Sequence, residues 1–200
     1  ISRNFGSTDE AAVKQLALHK CNCIIGPPVS THKGGSFADL LDADVKTGTN
    51  YINGDNIKLL VFSSTGMTRE LYDEFKGLGI KAFVNIYGST DVCTVAESPP
   101  YDPFELILTF GHNSAYVVND RQEHVGDNER GLFIASRIGS YDAAGTIIPN
   151  QGTQLINFHL GDEVTWHQKC SVGPWNVPSI SGVHRAAHLK DKVEGGCERW

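Results

Sequence analysis

Phe83-Val84-Asn85-Ile86-Tyr87-Gly88-Ser89-Thr90-Asp91 is the stretch whose residue types come nearest to a reaction site. A short apolar run ends in an aromatic ring, a glycine, two hydroxyls and a carboxylate. That order suits a nucleotide. Tyr87 offers a flat face for a base, and Gly88 lets backbone approach a phosphate. Ser89 and Thr90 can donate hydrogen bonds to that phosphate, and Asp91 could hold a hard cation such as Mg2+. The plainer reading is a buried strand closed by a polar turn that binds nothing.

Three further segments share this grammar. Phe62-Ser63-Ser64-Thr65-Gly66-Met67-Thr68 again runs from apolar residues through hydroxyls to a glycine. Thr68 can cap the helix that follows, whose N-terminus attracts negative charge. Leu155-Ile156-Asn157-Phe158-His159-Leu160-Gly161-Asp162 reads as a strand running into a Gly-Asp turn. A carboxylate there could accept two hydrogen bonds from a ribose diol, although the same dipeptide closes many turns without a ligand. Ile180-Ser181-Gly182-Val183-His184-Arg185 ends in an arginine whose planar, permanently charged fork suits a phosphate or ribose. Alone, such an arginine is more often a surface residue.

Two composition regimes must position these segments. In the first, Ala12, Val13, Leu16 and Ala17 fall at helical spacing, so a helix is predicted over 9–20 with Thr8 or Asp9 as its cap. Further helices are predicted over 37–44 and 68–76. The latter has Leu71, Tyr72 and Phe75 on one face and Gly77 to stop it. Strands are predicted over 23–25, 57–62 and 80–87. This α-β-α-β-α-β order implies a parallel sheet with crossover helices. From about residue 93 the runs become short and β-type, over 104–110, 114–118, 131–136, 154–158 and 162–167, with Gly, Pro, Asn and Asp between them. The expected fold class is therefore α/β. A parallel-sheet βαβ subdomain over 1–92 is followed by a small antiparallel, barrel-like β subdomain over 93–185, with 186–200 as a hinge or tail.

Bulk properties narrow the classes. The 200 residues are 40% hydrophobic and 20% charged, the balance of a folded chain. Net charge is −6 and no Lys/Arg run stands out, which argues against a nucleic-acid partner. No apolar window has the length of a membrane span and no signal peptide is legible, so no membrane partner is expected. Five cysteines without a secretory signal read as reduced thiols in a cytoplasm. Cys21 and Cys23 read as strand residues, the alternative being a metal pair that His19 leaves incomplete. A start at Ile1 reads as a processed chain or a fragment.

In order and spacing, the segments together resemble the acyl-adenylate-forming superfamily, in particular its phenylacetate-CoA ligase-like branch. The resemblance is carried by Ile24-Ile25-Gly26-Pro27-Pro28, Ser64-Thr65-Gly66-Met67, Asn85 to Asp91, Glu129-Arg130-Gly131-Leu132-Phe133, Gly161-Asp162 and the Gly182 to Arg185 turn. It implies an AMP-forming acid–CoA ligase that uses ATP and Mg2+. A carboxylic acid attacks the α-phosphate, and the acyl-adenylate then passes to CoA or another thiol acceptor. A protein-loading relative and a homodimer both stay open.

The resemblance also implies roles. Tyr87 stacks on adenine, with Gly66 and its neighbours Ser64 and Thr65 on the other side of the base. Gly88, Ser89 and Thr90 meet the α-phosphate, and Asn85 lies near the acid. Asp162 binds ribose, and Arg185 is the arginine before the hinge. Asp91 stands where the family usually has Glu for Mg2+, and Met67 where Glu is frequent. Thr90 and Asp91 are thus the expected catalytic pair. Some members of the branch carry a structural zinc. Here Ser98, and Ser171 after Cys170, stand where cysteines are expected, leaving Cys170, His112 and His167. No Ser/Thr/Gly-rich phosphate loop and no C-terminal domain with its lysine is legible. The expectation is the second half of an adenylation core; the alternative is a non-catalytic nucleotide- or protein-binding remnant of that fold.

Overall fold

The computed structural model describes residues 9–30, 35–63, 65–89, 92–109, 113–137, 140–141, 144, 146–148 and 155–186. The chain divides into two compact units, the first ending at Asn85 and the second beginning at Ile86.

The first unit holds α1 (Asp9–Leu18), β1 (Cys23–Ile25), α2 (Phe37–Thr47), β2 (Leu59–Phe62), α3 (Arg69–Gly77) and the first half of β3 (Ala82–Ser89). β1 pairs with β2 and β2 with β3, both in parallel, the second ladder running from Leu59 opposite Ala82 to Phe62 opposite Asn85. This is the predicted alternation. Its core is aromatic. Phe37 of α2 meets Phe62 of β2 and Phe75 of α3 edge to face, at ring-centre distances of 6.4 and 6.2 Å.

Local chemistry sets the ends of these helices. Ser36 and Asp39 form a reciprocal capping box at the start of α2. α2 then runs past its predicted end at residue 44, because Asp44 is buried rather than terminal. Its carboxylate accepts the backbone N–H groups of Tyr51 (3.0 Å) and Ile52 (2.8 Å), tying the returning chain to the helix. The Thr68 hydroxyl caps α3 by accepting from Leu71 N–H (3.2 Å). Gly77 is the last helical residue and not the stop, since the cap is Leu78. Cys23 lies in β1 as expected. Cys21 instead closes α1, its N–H donating to the Leu16 carbonyl (3.0 Å).

The second unit is antiparallel. It holds the rest of β3, then β4 (Cys93–Glu97), β5 (Glu105–Leu108), β6 (Asn113–Val118), β7 (Arg130–Arg137), β8 (Ser140–Tyr141), β9 (Ile147–Ile148), β10 (Leu155–His167) and β11 (Ser179–Arg185). Neighbours in its main sheet run β3-β4-β5-β11-β10-β7-β6, and β8 pairs with β9 apart from it. Val92, Val95, Leu106, Leu108, Val117, Phe133, Val164 and Ile180 are among the buried residues of one core, against which Tyr87, Leu160 and Trp166 pack. The α/β class, parallel first and antiparallel second, is as the sequence predicts. Among the described residues no helix is long and apolar enough to cross a membrane.

Three local expectations change. The strands predicted over 154–158 and 162–167 are one strand, β10. Gly161-Asp162 is a bulge inside it, not a turn between strands. On β10 the register moves from His159 to Glu163 while on β7 it moves only from Ile134 to Leu132. Gly161 takes φ +85°, a left-handed conformation that glycine adopts without Cβ strain. The Gly182 to Arg185 segment is likewise strand, the end of β11. Finally, β3 runs through Tyr87 to Ser89 and folds back on β4, a strand the sequence pattern did not reveal.

Candidate functional site

Three strands of the second unit converge on one carboxylate. Tyr87 of β3 donates its phenolic hydrogen to Asp162 Oδ2 (2.8 Å). Arg185 of β11 places Nη1 3.4 Å from Asp162 Oδ1 and donates to the Leu160 carbonyl (2.9 Å). Asp162 itself sits on the β10 bulge. That bulge is tied down by Ala186 N–H donating to the Gly161 carbonyl (2.9 Å) and by Gly161 N–H donating to His159 Nδ1 (3.1 Å). The sequence sets this up locally. Glycine permits the kink, and Asp162 and Arg185 face each other across the β10–β11 ladder.

The site is half-buried. The Asp162 and Arg185 side chains keep 19% and 35% exposure. The Tyr87 ring meets Phe133 edge to face at 5.5 Å, which fixes its plane. Burial, then the charge and hydrogen bond of Asp162, push the Tyr87 phenol far above its ordinary range, with Arg185 opposing. Tyr87 is therefore a donor at any working pH. A carboxylate offers about four acceptor sites. Tyr87 and Arg185 engage one site on each oxygen, so Asp162 can still accept from two hydroxyls.

Gly88 lies in β3 opposite Thr94, and a Cβ there would stand 2.0 Å from the Cys93 carbonyl oxygen, so only glycine fits. The Ser89 hydroxyl accepts from Val92 N–H (3.3 Å). Ser64, Thr90 and Asp91 lie outside the described residues. Thr65, Gly66 and Asn85 belong to the first unit, where the Thr65 hydroxyl donates to the Val29 carbonyl (3.3 Å). The structure thus brings together Tyr87, Asp162 and Arg185.

The zinc candidates meet other partners. The Cys170 thiol donates to the Val172 carbonyl (3.1 Å), and burial pushes its pKa up. His167 hydrogen-bonds Asn128 (2.9 Å) and Ser181 (2.8 Å), and His112 lies outside the described residues. Among the described residues no group of three or more His, Cys, Asp or Glu side chains gathers as a metal site. Beside Cys170 stands a residue the sequence reading passed over, Glu105. It accepts from Ser171 N–H (2.8 Å) and from the hydroxyls of Ser171 and Ser179. Burial raises its pKa, the Ser171, Ser179 and Cys170 hydrogen bonds lower it, and the net shift is downward. A lone carboxylate within the apolar run Phe104-Glu105-Leu106-Ile107-Leu108 was the signal available.

No family model and no curated protein matches the sequence. Solved structures do match the fold. A 2-hydroxyisobutyryl-CoA ligase, solved with its acyl-AMP and CoA, superposes with a TM-score of 0.70 at 14% identity, over 92% of this chain and 38% of that one. The chain thus shares the fold of part of this ligase. A benzoate CoA ligase from Burkholderia xenovorans LB400 matches this ligase fold at TM-score 0.56 and 13% identity, over 88% of the chain and 34% of its own. The Klebsiella oxytoca NpsA N-terminal subdomain, solved with 3-hydroxyanthranilyl-AMSN, matches at 0.51 and 17%, over 79% and 40%. The chain thus spans little more than a third of the first ligase's length.

Proposed function

We propose that this chain supplies the nucleoside-binding part of an enzyme that activates a carboxylic acid with ATP. The acid's carboxylate attacks the α-phosphorus, a P–O bond forms, and the bond to pyrophosphate breaks. A thiol, CoA or another, then attacks the acyl carbon and AMP leaves. The observation that carries this reading is the convergence of Tyr87, Asp162 and Arg185 within a ligase-type fold.

Each residue has a part in the reading. Asp162 accepts the ribose hydroxyls, and Tyr87 lends a ring face to adenine. The resemblance assigns Ser64, Thr65 and Gly66 to the base as well. Gly88, Ser89 and Thr90 donate to the α-phosphate, and Asn85 borders the acid. Asp91 would hold Mg2+, whose charge would offset that of the phosphates. The protein's contribution is to place the α-phosphorus and the acid within reach, which lowers the entropic part of the barrier.

Calorimetric titration of the chain with AMP tests this. Tyr87→Ala and Asp162→Ala should each weaken binding by about tenfold or more, the scale of losing a hydrogen bond to a charged group. Binding that ignores both changes would sink the assignment.

A further inference from the structure

We infer that Tyr87 is a positioning residue for Asp162: its hydroxyl and the Arg185 guanidinium together lock the Asp162 carboxylate in the one orientation that can take both hydroxyls of a ribose. The inference rests on the nucleoside reading above and gives Tyr87 a role separate from any contact of its ring with the base.

The need for a lock comes from the backbone. Asp162 follows Gly161 at the point where the β10–β7 register breaks, so the ladder does not fix the residue on that side. A carboxylate on such a bulge would sample several rotamers and lose entropy on binding a diol. Two strands remove that freedom. Tyr87 grips Oδ2 from β3 and Arg185 reaches Oδ1 from β11, each oxygen thus held by a different element. Arg185 also binds the Leu160 carbonyl, so it spans the bulge from one side of Gly161 to the other. Tyr87 cannot swing away, because its ring is wedged against Phe133 and the surrounding core. Its raised pKa keeps it a donor throughout. The result is a pre-formed acceptor pair, the arrangement that makes a diol contact strong.

The hydroxyl of Tyr87 then serves the ribose while its ring serves the base, and the two can be separated. The full chain is titrated with AMP and with 2′,3′-dideoxy-AMP, which keeps base and phosphate but lacks the diol. The wild type should prefer AMP. Tyr87→Phe retains the ring and deletes the hydroxyl. It should lower AMP affinity about tenfold, leave dideoxy-AMP affinity unchanged and so collapse the preference. Arg185→Met supplies the second perturbation, from the other oxygen, and should also shrink the AMP-to-dideoxy-AMP ratio. A role that is only structural would weaken both nucleotides in parallel and leave that ratio alone. A wild-type preference for AMP that survives in both variants overturns the lock and spares the nucleoside reading. A wild type that binds neither nucleotide overturns the reading and the lock with it.

Discussion

Glu105→Ala removes a carboxylate that is 6% exposed and accepts from Ser171 N–H, the Ser171 hydroxyl and the Ser179 hydroxyl. Its donors, the Cys170 thiol among them, do not suffer equally. Ser171 is exposed, so water replaces its lost acceptor. Ser179 is fully buried, and without Glu105 its hydroxyl keeps only the Cys170 sulfur, a weak acceptor. A buried hydroxyl so poorly matched costs about 2 kcal/mol, and the lost charge-assisted bonds add about 1.5. The expected destabilisation is therefore about 3 to 4 kcal/mol, read as a lower urea midpoint of tryptophan fluorescence. Trp166 and Trp175 both lie in the second unit and report on it. Glu105→Ala with Ser179→Ala removes the poorly matched donor, so the double variant should be more stable than Glu105→Ala alone. A double variant that is less stable, or a single variant within about 1 kcal/mol of wild type, refutes the argument.

Glu105 titrates below the ordinary glutamate range in the folded chain, so its contribution is present above the ordinary glutamate pKa and is lost as pH falls through the lower folded one; Glu105→Gln should flatten the acid limb of stability against pH. Gly88→Ala forces a Cβ onto the Cys93 carbonyl and should cost about 3 kcal/mol in a denaturant titration. Gly161→Ala puts a side chain at φ +85° and should cost about 1 to 2 kcal/mol while weakening AMP, because the bulge carries Asp162. Phe133→Ala empties a fully buried ring site and should cost about 3 to 5 kcal/mol, loosening Tyr87 as well.

The first unit was legible because its signals are local. Val13 and Leu16 repeat at helical spacing, Leu59 to Phe62 is a compact apolar run, and Thr68 caps the helix it precedes. Asp44 misled only because a carboxylate near a helix end normally faces water. The second unit was harder, since its pairings join residues distant in sequence. β4 begins directly behind a polar turn, with Cys93 at φ +61°, and its buried Val95 and Ala96 make too short a run to read. A glycine inside β10 reads as a turn until strands on both sides show that the ladder resumes beyond it. Tyr87, Asp162 and Arg185 could be picked out from motif order, but their mutual hydrogen bonds depend on β3, β10 and β11 meeting. Glu105 was passed over because nothing in its neighbourhood of the sequence shows Ser171 and Ser179 closing around it.

A crystal structure of the chain with a non-hydrolysable acyl-adenylate analogue tests the central claim most directly. The account predicts the ribose hydroxyls within hydrogen-bond distance of Asp162, with Tyr87 Oη still donating to that carboxylate and adenine lying against the Tyr87 ring. An analogue bound elsewhere, or one whose ribose leaves Asp162 untouched, would contradict it.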